Sequence, residues 1–390
     1  MFICADGHRS KDNVQNDDQR HDLIKDHNDE TNDAQYCFKD GDMIKSGLKN
    51  RLNHPRREFD LSQSQADCSS LPVRYALKEN MSALESLALG DGYVLFLAQT
   101  LNIISLSPVG RAMVREAGEN GWHVALDQLD GNDFYIDAER QLIVLDHHGL
   151  KAEGLMRSAY FANTILINTV KALRDIWQEK RYGSFHHLFS AESILMMERI
   201  RAADCDVLAI MTAWELRSEG HTDIWRHVIG SAIGDMALIY SMTLERDPAA
   251  QFNGKALRAT FKGWYELPER VNACDHLTLE YLDDILEHSE VKNPFGRKMP
   301  THIAVELMSC LPDKTAYLQG FGREVLIDPL YSGLDDETNQ SHLMHILYDL
   351  EVTLVHNVPF RNSDLAARIF PEDMILEDIT DIDPEMMENF

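Results

Sequence analysis

Apolar positions along this chain are spaced first by the helical period, then by the strand period, then by the helical period again, after a start in which they are too sparse to matter. From residue 6 to about residue 70, Asp, Asn, Gln, His, Lys and Arg dominate. So few apolar side chains cannot offset the entropy of ordering a chain, and residues 1–70 read as a disordered polar tail, with a short helix near 43–52. Residues 78–89 then carry Met81, Leu84, Leu87 and Ala88 at helical spacing, and residues 93–104 are almost wholly apolar over a length that favours a helix. Ser107 followed by Pro108 supplies an N-cap hydroxyl and a proline for the first turn, which predicts a helix over 109–117. The period then shortens. Residues 122–126, 134–137 and 141–146 alternate or run apolar between turn residues, with 137–140 as a hairpin turn. That pattern predicts a small antiparallel sheet of about three strands.

From residue 156 the pattern is helical. Residues 160–178 place Phe161, Ile165, Leu166, Val170, Leu173, Ile176 and Trp177 at intervals of three and four, which puts them on one buried face. Residues 191–219 carry a wide apolar stripe and are long enough for one bent helix or two short ones. Further helices are expected over 223–244, from Asn253-Gly254 through Trp264, and over 269–288. In the first of these, Gly230, Ser231, Ala232 and Gly234 are small enough to admit a neighbouring backbone. Past residue 291, Asn293-Pro294-Phe295-Gly296 reads as a linker or ordered crossover. A helix near 301–311, a short strand near 325–327 and a helix over 341–355 follow. The chain is therefore expected to be α+β, mainly α. It divides into a polar tail (1–70), a principal domain (71–290), a C-terminal helical region (291–370) and an acidic tail (371–390).

One stretch carries a recognisable frame. Lys171-Ala172-Leu173-Arg174-Asp175-Ile176-Trp177-Gln178 resembles the active helix of a bacterial family of predicted zinc metallopeptidases, known mainly as a domain of unknown function. In that family these positions read approximately His-Glu-Leu-Arg-His-Ala-Trp-Gln. Leu173, Arg174, Trp177 and Gln178 match, whereas Lys171 and Asp175 stand at the histidines and Ala172 at the glutamate. Histidines four apart on a helix share one zinc, and the glutamate between them activates the bound water. Lys171 would bring a cation to a cation site, and Ala172 cannot take a proton. The resemblance continues through Ala202-Ala203-Asp204-Cys205, where Ala202 replaces an acidic third ligand and Asp204 remains, and through Trp214, Trp225 and Trp264. It covers roughly residues 95–285. It implies a zincin-like helical core, with an edge strand over 142–145 that helps to hold substrate backbone. It also implies that Lys171 and Asp175 face Asp204, a lysine flanked by two carboxylates in a vacated metal site.

Composition changes this picture in two ways. The 64 acidic against 37 basic residues give a net charge of -27, which opposes binding to nucleic acid and to anionic membrane surfaces. No run approaches the roughly twenty apolar residues of a membrane helix. The six cysteines are scattered without a CxxC pair, which fits thiols in a reducing cytoplasm, although leaderless export would leave no mark. Cys205 lies between Asp204 and Asp206, whose charges disfavour a nucleophilic thiolate.

Two functional readings follow. The first is a metallopeptidase-like protein with a degenerate zinc site, a pseudoenzyme that works as a protein-interaction module. It has no cofactor, although zinc is what the family implies, and of its motif-equivalent positions only Asp175, with Asp204, could coordinate. Two carboxylates suit a hard cation such as magnesium better than zinc. The second is an active metal-dependent peptidase or hydrolase built on other ligands. Its raw material is His147 and His148 at a strand end, His186 and His187 before a helix start, and Glu192 and Glu198.

Overall fold

The computed structural model describes residues 70–76, 92–129, 133–289, 291 and 293–350. The expected tails, the helices at 43–52 and 78–89, and everything past residue 350 lie outside the described residues. Helix α1 (Gly92–Ile104) precedes α2 (Pro108–Glu119). The start of α2 is built as its sequence predicts: Ser107 Oγ accepts from the Gly110 N–H at 3.0 Å. That hydroxyl also donates to the carboxylate of Glu215, which takes the Val109 N–H at 3.3 Å. A carboxyl group thus caps the positive end of the helix dipole.

Strands β1 (Ser70–Pro72), β2 (His123–Asp127), β3 (Phe134–Asp137) and β4 (Leu142–Asp146) form one sheet in the order β1-β2-β4-β3. The sheet is mixed and has four strands, which corrects the expected three antiparallel ones. The predicted hairpin is present, with β3 antiparallel to β4. Its turn is closed by Gln141 at φ 54° and by Asp137 Oδ1, which accepts from the Arg140 N–H at 2.9 Å. The six residues between β2 and β3 are too many for a tight turn, so β3 overshoots and β4 inserts parallel to β2. Strand β4 is therefore interior and β3 is the edge, the reverse of the arrangement the resemblance implied. The extra strand β1 pairs antiparallel with β2.

After α3 (Ala152–Arg157) come the two long helices α4 (Ala159–Tyr182) and α5 (Ala191–Ser218). Gly183, at φ 65°, ends α4. Helix α5 is continuous, since it holds no Gly or Pro to break its ladder, and it is buried on nearly every side. It is the hub of the fold.

The predicted helix over 223–244 is two helices, α6 (Thr222–Ile229) and α7 (Gly234–Arg246), bent by 120°. Ser231 Oγ donates to Val228 O at 2.8 Å, and the Gly234 N–H reaches Ser231 O at 3.0 Å. A Cβ on Gly234 would lie 2.1 Å from Ile229 O. The small residues make this corner rather than a flat face for another helix. Helices α8 (Lys255–Trp264) and α9 (Pro268–His288) follow as expected.

The C-terminal segments α10 (His302–Met308), α11 (Gly322–Ile327), α12 (Pro329–Ser332) and α13 (Glu337–Asp349) pack onto the same core. Residues 325–327 end helix α11 and are not a strand; Phe321 and Val325, four apart, both face inward. Among the described residues, no single helix is long and apolar enough to cross a membrane.

Candidate functional site

Ion pairs fix the register of α4 against α5. Lys171 meets Asp206 at 2.7 Å, Arg174 meets Asp204 at 2.5 Å and Glu179 meets Arg201 at 3.0 Å. Numbers climb on one helix as they fall on the other, so the pair is antiparallel and each motif position has a defined neighbour.

Asp204 is wholly buried. One oxygen accepts from Arg174 Nε and, at 2.6 Å, from Gln178 Nε2; the other accepts from the Tyr317 hydroxyl at 2.7 Å. The remaining reach of Arg174 goes to the carbonyls of Met308 and Cys310, at 3.1 and 3.0 Å. Arg174 and Gln178 therefore both bind Asp204. Burial disfavours the charged guanidinium, but the Asp204 carboxylate outweighs it and holds the Arg174 pKa above its ordinary value. Burial likewise pushes the Tyr317 phenol well up, reinforced by the Asp204 charge.

Lys171, Asp175 and Asp204 do not converge. Lys171 binds Asp206, whose other oxygen accepts from the buried indole of Trp264 at 3.0 Å. Asp175 faces Arg201, with Nε and Oδ1 3.9 Å apart. Arg201 also contacts Glu179 and Glu198, donates to Gly183 O and lies over the Phe185 ring. Ala172 and Ala202 are fully buried among apolar side chains. The expected trio is thus three separate pairs, because Asp206 rather than Asp204 lies opposite Lys171.

A second cluster stands at the strand ends beside Lys171. Asp146, at the end of β4, accepts from the His148 N–H at 2.8 Å and the Leu129 N–H at 3.4 Å. Its other oxygen lies 3.2 Å from His148 Nδ1. His148 has φ 53°, and its Nε2 is buried without a hydrogen-bond partner. Its ring tilts against Phe161, while His147 stacks on Tyr93 and points its Nδ1 at the Gly149 N–H. Asp133 completes the cluster. Burial raises its carboxyl pKa against the charges of Lys171 and His148 and a hydrogen bond from Asn168.

The other candidates lie elsewhere. His186 and His187 lie with their rings close and tilted in the loop after α4, where His186 contacts Ser184 and Tyr281. Glu192 is in the first turn of α5, and Glu198 belongs to the Arg201 group. Cys205 is buried, with its thiol 3.7 Å from Gln178 Oε1. Of the motif aromatics, Trp177 lies between the guanidiniums of Arg181 and Arg174, at 3.5 and 4.2 Å, and Leu173 fills the core beside it. Trp214 packs edge-on against Trp225 and Tyr240.

The family model described as Putative metallopeptidase family (DUF6782) matches residues 98–318, more than half of the chain. The chain belongs to that family. The match runs from α1 to Leu318, so it includes Tyr317 and the carbonyls that Arg174 holds. No curated protein and no solved structure matches the chain.

Residues that sequence reasoning missed are Asp206, Arg201, Asp146, Asp133 and Tyr317. Asp146 directly precedes the singled-out His147-His148 and could have been read as the partner of its strand-end neighbour. The others are set by which residues meet across helices, which no local spacing reveals.

Proposed function

We propose that this member of the metallopeptidase family is a pseudoenzyme: its zinc site has been converted into internal ion pairs, and it acts through protein interaction rather than hydrolysis. The observation that carries this reading is the pairing of Lys171 with Asp206. It puts an ammonium where the first metal-binding nitrogen would stand, already neutralised by a carboxylate. A catalytic zinc needs three protein ligands, an open position and a general base. Asp175 faces Arg201, Asp204 is enclosed by three donors, and Ala172 and Ala202 offer no oxygen. The donor set does not fit zinc, and no hydrolytic step runs through it. Lys171 and Arg201 supply positive charge within the fold itself. Elemental analysis of the purified chain is expected to give far less than one zinc per molecule. One equivalent that survives dialysis against a weak chelator sinks the proposal.

A second reading, a metal-dependent hydrolase built on other ligands, has one observation in its favour. His148 is held at Nδ1 by Asp146 and leaves Nε2 unpaired, the arrangement in which a carboxylate orients a ligating or proton-transferring imidazole. Bound metal that disappears in His148→Ala, but persists in His186→Ala, would favour it.

A further inference from the structure

Large exposed apolar side chains gather where the loop after α4 meets the segment leading into α10. Leu188, Met299, Ile303 and Leu307 are all exposed, Met299 by 70%. Backbone bonds hold the two stretches together: the Gly296 N–H to His186 O, the Lys298 N–H to Leu188 O and the Ser190 N–H to Lys298 O. A Cβ on Gly296 would lie 2.2 Å from the Leu188 carbonyl, so the glycine permits this approach. Ser193 Oγ donates to Met299 Sδ, and the Tyr182 hydroxyl donates to Leu307 O, which ties α10 to the end of α4.

This apolar surface is edged by positive charge on a strongly acidic molecule. Arg297 and Lys298 are both exposed, and neither has an ion-pair partner among the described residues. His187 is exposed beside Leu188. An apolar centre with a basic edge selects a partner that is apolar and acidic. A second copy docked by a two-fold axis would set this basic edge against itself, which disfavours that occupant.

We infer that the occupant is this chain's own C-terminal segment, residues 371–390. Its sequence interleaves Met374, Ile375, Leu376, Ile379, Ile382, Met386 and Met387 with eight carboxylates, and it holds no Lys or Arg. The twenty residues between Leu350 and Pro371 can span up to about 65 Å when extended. Tethering gives the segment an effective concentration of about millimolar, which lets a weak contact form within one molecule. The inference does not depend on the loss of zinc chemistry. If the surface also takes a protein partner, the segment competes with that partner in cis.

Zero-length carboxylate-to-amine coupling on the full chain, followed by peptide mapping, tests this. Lys298 is expected to couple to carboxylates of 371–390 in the monomer fraction, several-fold more than Lys151 and Lys255, which are exposed elsewhere. Ile303→Asp keeps Lys298 and changes only an exposed side chain, so it should leave the melting temperature unchanged and reduce that coupling several-fold. Coupling found only in dimers assigns the surface to a second copy and overturns the inference. Coupling no greater than at Lys151 and Lys255, or unchanged in Ile303→Asp, overturns it as well.

Discussion

At the scale of single residues, burial decides which ion pair matters to stability. Arg174 and Asp204 are both fully inaccessible, and replacing the arginine leaves a carboxylate in the core without its cationic partner. Removing one partner of such a pair costs on the order of 3–5 kcal/mol. Lys171 and Asp206 retain 15% and 11% of their side-chain exposure, and Asp206 keeps the Trp264 indole. Lys171→Met should therefore cost less, about 1–2 kcal/mol, between the values for exposed and buried pairs. Urea unfolding of Arg174→Met and Lys171→Met checks the order; equal losses would mean that the lysine is as enclosed as the arginine. His148 adds a pH dependence. Burial alone would lower its pKa, but the bond and charge of Asp146, with the charge of Asp133, raise it. A raised histidine stabilises the fold fully below its unfolded value of about 6.5, and that contribution is lost as pH rises through the folded value. Asp146 is shifted the other way: burial raises it, but the bonds from His148 lower it further, so its share is lost only as pH falls through its depressed value. Asp133, raised, also loses its share as pH rises through its elevated value. The melting temperature should drop as pH rises above about 6.5, and drop less in His148→Gln. Parallel curves would show that the Asp146–His148 contact does not form in solution.

At the scale of elements, what was legible in the sequence is what local chemistry decides. Ser107 before Pro108, Gly183 after Tyr182 and Asn253-Gly254 each mark a boundary that the fold respects, because caps and left-handed turns depend on a few adjacent residues. The break inside 223–244 is not legible because Gly230 to Gly234 suit either a smooth helix face or a corner, and tertiary packing makes the choice. Partners across helices were illegible for a further reason. Asp204 and Asp206 are two residues apart, about 200° around α5, so they serve different neighbours. The resemblance singles out Asp204, whereas the register places Asp206 opposite Lys171. Gly254 shows how a turn can reach the candidate site. It has φ 75°, and a Cβ there would lie 3.0 Å from Tyr317 Cβ, on the residue that holds Asp204. Gly254→Ala should cost about 1–2 kcal/mol from the left-handed backbone alone, and more if Tyr317 is displaced. A thermal melt indistinguishable from the parent's would mean that this turn opens without cost.

At the scale of the whole molecule, two buried arginines make the C-terminal segments part of the helix hairpin. Arg174 on α4 donates to the carbonyls of Met308 and Cys310, and Arg199 on α5 pairs with Asp275 and donates to the carbonyls of Tyr331 and Gly333. Each guanidinium thus links an acidic partner on one helix to backbone carbonyls at the end of a C-terminal helix more than 130 residues away. Detaching residues 302–333 would strip two buried cations of at least half their acceptors, so the segment cannot open while the hairpin stays folded without that loss. The expected division at residue 291 should accordingly have no counterpart in unfolding. A fluorescence probe on an exposed α11 side chain, such as Ile327→Cys, and the intrinsic signal of Trp177 and Trp214 in the hairpin should report the same midpoint in urea. If the α11 probe moves at lower urea than the tryptophans, the arginine contacts do not couple the two parts, and residues 293–350 form a separately opening unit.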